Sequence, residues 1–306
     1  MNTTTKTKAV LTYAESRLVA GNLDAGIIAG FMAKNGRVGV IRDARAVSKA
    51  FRAPWYASWA PMLTEPESQP KLGKSVRHAL GLMLTPAASL DVAQFLGSMR
   101  PVNVCPRASL GCEAACLAYS GHGQFTKTQL ARQVRHAFLI AHPYEAGVLI
   151  GREIRVALDA HGADEMTFRF NTLSDYRIER IIPNAMLLMA WKGVRLYDYT
   201  AWAPHNRDTL GGMYHLTYSA KEPEHTSDKY LADLLRAGEN VAMAFNVLPG
   251  ELPTEWVLDG QVFRVIDGDL TDDRTEDERG VLVGLSAKGP LGKADVTGFV
   301  REVIAA

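Results

Sequence analysis

From residue 100 onward, short apolar runs alternate with stretches whose apolar positions recur every three to four residues. Met166 to Phe170, Val194 to Tyr199, Tyr214 to Tyr218, Val241 to Val247, Val262 to Ile266 and Val281 to Leu285 are rich in aliphatic and aromatic side chains and read as strands. Arg100 to Val104 leads into the cysteine segment as a further strand entering a loop, and helical patterns lie between the strands. Thr126-Lys127-Thr128-Gln129 forms a capping box ahead of Leu130, Val134, Ala137 and Phe138, which share one helical face. His142-Pro143 ends that helix, and Leu149, Ile150, Ile154, Ala157 and Leu158 mark a second one, stopped by His161-Gly162. Pro183 opens a helix over Asn184 to Trp191, and Thr226-Ser227-Asp228 caps another carrying Tyr230, Leu231, Leu234 and Leu235.

Strands alternating with helices or short crossovers predict an α/β fold with a mainly parallel sheet. About six strands over residues 100–306 suit a partial or distorted (β/α) barrel, with an open doubly wound sheet as the other arrangement. Residues 1–99 read as an irregular N-terminal extension packed on this main domain. In it, Gly36 to Ile41 and Leu80 to Leu84 are short strands, and residues 61–74 form a proline-bearing loop. No internal repeat is visible.

Composition narrows the function classes only a little. The 306 residues are 47% hydrophobic and 22% charged, as in ordinary globular proteins, and the formal net charge of +1 supplies no global field for nucleic acid or anionic lipid. Met1 to Lys8 leads into no secretory apolar core, and no apolar run approaches a membrane span. The expected compartment is the cytoplasm, with no membrane association.

Cysteine usage changes the picture most. Cys105, Cys112 and Cys116 are the only cysteines, and all lie within twelve residues. Their proximity predicts one ligand set for a soft metal or an iron–sulfur cluster rather than scattered core thiols, and an odd number argues against disulfides. Pro106, Gly111 and the small residues Ala108, Ser109, Ala114 and Ala115 let the backbone approach an inorganic core. The expected cofactor is a [4Fe–4S] or [3Fe–4S] cluster. Zinc is the alternative, with His122 as the nearest further ligand, but paired Cys-x2-Cys knuckles are absent.

In a parallel α/β fold, chemistry gathers beyond the carboxyl ends of the strands. Asn171, Ser174 and Asp175 follow Phe170; Asp198, Tyr199 and Thr200 close the next strand; Ser219, Lys221 and Glu222 follow Tyr218; Asp267 and Asp269 follow Ile266. Asn171, Ser174, Asp175, Asp198, Ser219, Asp267, Asp269 and Lys288 are therefore the candidate edges of a shared cleft. Asp267 to Arg274 lacks the full ligand pattern of a calcium loop and reads as a solvated turn. No nucleophilic triad, P-loop or dinucleotide fingerprint is present.

Several strings taken together resemble a known family, the phage and plasmid "gene product 88" domain. They are Cys105-Pro106-x-Ala108-Ser109-x-Gly111-Cys112-x3-Cys116-Leu117, Gly121-x-Gly123, Asn171-Thr172-x-Ser174-Asp175, Tyr197-Asp198-Tyr199-Thr200, His215-Leu216-Thr217-Tyr218-Ser219, Asp267-Gly268-Asp269 and Val283-Gly284-Leu285-x-Ala287-Lys288-Gly289. The resemblance runs from about residue 70 to residue 300 and implies a mobile-element origin and a cysteine cofactor site. The cysteine loop is also similar, more distantly, to that of radical S-adenosylmethionine barrel proteins. That likeness implies S-adenosylmethionine as a cosubstrate, although Cys-x6-Cys-x3-Cys here replaces their Cys-x3-Cys-x2-Cys.

The expected protein thus binds an iron–sulfur cluster facing a strand-end cleft, for redox or radical chemistry on a small molecule or nucleotide. The rival expectation is a metal-stabilised protein that binds nucleic acid or a host protein without catalysis, using the cleft or the aromatic–arginine segment around Trp55.

Overall fold

The computed structural model describes residues 61–68, 72–89, 102–119, 123, 125–141, 143–182, 189 and 193–303. The strand at Gly36 to Ile41, the Trp55 segment, His122 and nearly all of the Asn184 to Trp191 helix lie outside these residues.

One large sheet organises the described chain. In spatial order it runs β1 (Leu63–Thr64), β2 (His78–Leu82), β5 (Met166–Arg169), β6 (Arg195–Thr200), β7 (Tyr214–Ser219), β8 (Asn240–Phe245), β11 (Leu282–Ser286), β10 (Gln261–Asp267) and β9 (Glu255–Leu258). All neighbours from β2 to β10 are parallel, and only the two edge strands β1 and β9 are antiparallel to their partners. The mainly parallel α/β fold read from the sequence is therefore present, but the sheet is open rather than closed into a barrel. Pairing of β2 with β5 also carries the sheet across residue 99, so β1 and β2 are members of it.

Burial explains the parallel centre. Every side chain of β5 is buried, as are most of β2, β8 and β11, as expected for strands covered on both faces. The edge pair β9 and β10 instead alternates, and Asp259-Gly260 turns between them with φ of 51° and 73°, the left-handed values of a tight hairpin.

Two further short strands form a separate antiparallel pair, β3 (Ala88–Ser89) with β4 (Val102–Asn103). This corrects one expectation: the strand that enters the cysteine segment belongs to this side hairpin, not to the main sheet. The positional likeness to radical S-adenosylmethionine barrels is lost with it.

Helices α1 (Leu110–Ala114), α2 (Thr126–Ala141), α3 (Pro143–His161), α4 (Ile178–Ile181), α5 (Asp228–Arg236) and α6 (Gly289–Lys293) complete the elements used here. Pro143 occupies the first turn of α3, where its missing N–H costs nothing. Ser227 caps α5, whose Leu231, Leu234 and Leu235 are buried. Two hydrophobic clusters result. One joins β2, β5 and β6 to α2 and α3, and the other joins β7, β8, β10 and β11 to α5.

His136 of α2 lies in the first cluster, fully buried, with no hydrogen-bond partner on either ring nitrogen among the described residues, edge-on to Tyr176. Burial lowers its pKa to about 4. The unfolded chain takes up a proton near pH 6.5 and the folded chain only near 4, so stability is lost as pH falls through that window. Buried Asp175 and Asp198, raised to about 6, act in the opposite direction, because their folded forms bind protons first. We therefore expect His136→Phe to gain about 2–3 kcal/mol on the wild type between pH 7 and pH 4. Urea unfolding at both pH values measures it, and an unchanged difference between the two proteins would refute it.

The β8 edge has a local feature that shapes the site. β7 pairs with β8 only as far as Ser219 opposite Ala242. Beyond that point β12 (Val300–Arg301) takes over the same edge, Val300 opposite Ala244 and Arg301 opposite Phe245. Asn246 fixes the newcomer at its C-terminal end, donating its N–H to the Arg301 carbonyl at 3.0 Å and accepting on its side-chain oxygen from Val303 N–H at 3.0 Å. The chain after Ser219 is thereby displaced from the ladder.

Candidate functional site

A cavity of about 270 Å³ opens at this displacement, over the carboxyl ends of β5, β6, β7, β8 and β11. Cys105, Cys112 and Cys116 all face it, and so do Asn171, Ser174, Asp175, Ser219 and Lys288. The expectation of a shared strand-end cleft thus brings five of the eight candidate residues to one wall with the three thiols.

The cysteine segment is held over the cavity by both halves of the sheet. Ser109 caps α1, its hydroxyl accepting from Cys112 N–H at 3.4 Å. From the β7 side, Glu222 Oε1 accepts from Gly111 N–H at 2.6 Å. From the β11 side, α6 packs on α1, bringing Gly292 beside Ala115. A side chain at Gly111 would place its Cβ 2.6 Å from both Glu222 Oε1 and Phe299 Cβ, so the close approach requires glycine.

Cys105 is half-buried, as are the other two thiols. Ala87 N–H points at its sulfur over 3.5 Å, and the Leu173 carbonyl lies 3.7 Å from it. Burial pushes the Cys105 thiol up to about 12; the Ala87 N–H opposes this, while Cys112, Asp175 and Cys116 add to it. Ala87 itself sits at φ 50°, a left-handed conformation that costs an L-residue about 1–2 kcal/mol. The strain aims a backbone donor at sulfur.

Polar residues beneath the cavity are tied to one another. Asn171 Oδ1 accepts from Ser174 Oγ–H and Tyr176 N–H, both at 2.9 Å. Asp175 accepts from Thr200 Oγ1–H at 2.7 Å and Ala201 N–H at 2.9 Å. Burial still raises its carboxyl to about 6, against these donors, Arg207 and Lys221. Asp198 is fully buried below the lining, accepting from Asn171 N–H at 2.7 Å, Asn171 Nδ2–H at 3.0 Å and the Tyr214 hydroxyl. Asp269 accepts from Ser286 N–H at 2.8 Å, from the Ser286 hydroxyl and from Lys288 Nζ at 2.5 Å, while Asp267 accepts from Asp269 N–H at 2.8 Å. Asp198, Asp267 and Asp269 are therefore outside the lining, and each is occupied by donors of the chain. So is the rest of the acidic turn: Asp272 binds Arg169 at 2.7 Å, and Asp273 binds Thr275 and Arg77.

The lining also includes residues outside the candidate set. Arg169, Lys221, Ser286 and Phe299 face the cavity. Lys221 was visible as a strand-end residue, whereas Arg169 sits within β5 and Phe299 precedes a two-residue strand without a pattern of its own.

Among the described residues, no three or more histidines, cysteines, aspartates or glutamates converge as a group around a single ion.

The family model for gene product 88 matches residues 64–303. The chain belongs to the gene product 88 family. The match starts within β1, at Thr64, and ends beyond β12, so it takes in the sheet except for Leu63 and every residue of the cavity. No curated protein and no solved structure matches the chain. Among the described residues of this gene product 88 protein, no helix is long and apolar enough to cross a membrane.

Proposed function

We propose that this gene product 88 protein carries an iron–sulfur cluster on Cys105, Cys112 and Cys116 and presents it to a small molecule or nucleotide in the same cavity. The observation that carries this reading is that the three cysteines, twelve residues of one loop and helix, line a single strand-end cavity together with polar side chains from the sheet. Three thiolates leave one iron of a [4Fe–4S] cluster open to an exogenous ligand, and a cluster so placed supplies one-electron or Lewis-acid chemistry. The chain's own part is to seat and shield. Glu222 and α6 hold α1 over the site, Ala87 N–H directs a hydrogen bond to the Cys105 sulfur, and Ala108, Ala115 and Gly292 leave room for the cluster.

Anaerobic reconstitution with iron and sulfide tests the proposal. We expect about four irons and four sulfides per chain for the cubane, a broad brown absorption, and a paramagnetic signal on reduction. Cys105→Ala, Cys112→Ala and Cys116→Ala are each expected to lose most of the bound iron while their unfolding midpoints stay measurable. A colourless protein that takes up one zinc and no iron would end the cluster reading.

A second reading, nucleic-acid binding without catalysis, has one observation in its favour. Arg107 and Arg177 both stack on Trp202, with guanidinium carbons 4.7 and 4.5 Å from the ring centroid, beside the cysteine segment. A salt-dependent mobility shift with DNA or RNA, weakened by Arg107→Ala, would support it.

A further inference from the structure

Two strands that flank β8 end in the same string. β7 runs into Ser219-Ala220-Lys221-Glu222-Pro223, and β11 into Ser286-Ala287-Lys288-Gly289-Pro290. Four of the five positions are identical, with Glu222 against Gly289 the exception, and the flanking residues do not extend the repeat. The backbone geometry matches as well. Ser219 pairs with Ala242 of β8, and Ala220 N–H donates to the Ala242 carbonyl at 2.9 Å. Ser286 pairs with Phe245, and Ala287 N–H donates to the Phe245 carbonyl at 2.8 Å. Each copy therefore leaves the ladder by the same last hydrogen bond, one on either side of β8.

Because side chains alternate along extended backbone, the serine and the lysine of each copy lie on one side, and all four residues line the cavity. The lysines differ in their partners. Lys288 is bound to Asp269 at 2.5 Å and is partly exposed. Lys221 is only 7% exposed, and among the described residues its ammonium has no hydrogen-bond or ion-pair partner; the Phe299 ring lies 5.7 Å away, and the Asp175 carboxylate of the same cavity acts on it without direct contact. An enclosed cation with no directly bound anion gains when one arrives.

We infer that the paired Ser-Ala-Lys strand ends form a receptor for a small anion, a carboxylate or phosphate group, with Lys221 as the principal charge and Ser219, Ser286 and Lys288 around it. The inference rests on the reading of this cavity as a ligand site, and it names the class of molecule that would lie beside the cluster. A cavity of about 270 Å³ limits that molecule to metabolite size. Asp269 keeps Lys288 oriented, whereas Lys221, with Asp175 only as a more distant counter-charge, keeps its donors for a ligand.

Calorimetric titration of the full chain, before and after cluster reconstitution, with inorganic phosphate and with succinate tests this. At low ionic strength the wild type is expected to bind at least one probe, and the tighter probe tells phosphate from carboxylate recognition. Lys221→Met should weaken that binding about tenfold or more, Lys288→Met less, and Lys221→Arg should retain most of it. Circular dichroism and an unfolding midpoint confirm that each variant is folded, and Lys221→Gln serves if the methionine variant is not. Binding of neither probe overturns the inference, as does a Lys221→Met protein that binds as the wild type does. If that variant only shifts the cluster's reduction potential, the lysine serves the cluster's charge and the anion receptor is refuted. Iron and sulfide content reports separately on the cluster, so failure of one reading is distinguished from failure of the other.

Discussion

Glu179→Ala is expected to lower the free energy of unfolding by about 3–5 kcal/mol, the cost of orphaning a fully buried charge. Arg207 has a side chain with no exposure, and Glu179 of α4 grips it through Nε at 2.8 Å and Nη2 at 3.1 Å. Arg207 then donates to the Tyr214 hydroxyl at 3.1 Å, Tyr214 donates to Asp198, and Asp198 accepts from Asn171 under the cavity. Removing the carboxylate leaves Asp175, 3.9 Å from Nη1, as the nearest counter-charge. Glu179→Gln retains one acceptor and should lose less. Urea denaturation of the three proteins measures both differences, and a loss below about 1 kcal/mol for the alanine variant would show that Arg207 is reached by water.

The second large effect is expected at Gly111→Ala. The added methyl would stand 2.6 Å from Glu222 Oε1, the atom that binds Gly111 N–H at that same distance, and 2.6 Å from Phe299 Cβ. Either Glu222 releases α1 or α1 moves away from the strand ends. Overpacking of this kind costs about 1–3 kcal/mol, and here the displacement falls on Cys112, the next residue. Reconstituted iron should drop severalfold. Gly292→Ala is the control on the other side of α1, because its methyl would meet Ala115 Cβ at an ordinary 3.7 Å. If both variants load iron equally well, the Glu222 tether does not position the cysteines.

Much of the fold was legible because parallel strands announce themselves. β5, β6, β7, β8, β10 and β11 all fall within a residue or two of the apolar runs, and α2, α3 and α5 follow their caps and periodicities. What escaped was short or non-local. β1, β3 and β12 are two-residue strands whose pairing depends on a partner elsewhere in the chain. The β9–β10 hairpin carried its Asp259-Gly260 signal in plain view. β4 looked like an entrance to the main sheet because a two-residue apolar strand carries no mark of which sheet it joins.

The candidate site was legible to a similar depth. Strand-end position places Asn171, Ser174, Asp175, Ser219 and Lys288 at one cavity with the cysteines, since topology alone gathers those ends. It could not separate an aspartate facing a cavity from one turned downward to collect donors, which is the difference between Asp175 and Asp198. Nor does alternation along a strand single out Lys221 as the ammonium without a directly bound carboxylate, which depends on its neighbours in space.

The two hydrophobic clusters meet where the cysteine segment lies. Val104 and Cys105 pack with the first, while Glu222 beyond β7 and α6 beyond β11 reach α1 from the side of the second. Occupancy of the cavity therefore bears on cooperativity. A group bound to both sides adds its binding free energy to the state in which the two cores are joined, and to no state in which they have parted. The sharpness of the melting transition, and not only its midpoint, becomes a gauge of whether the site is filled.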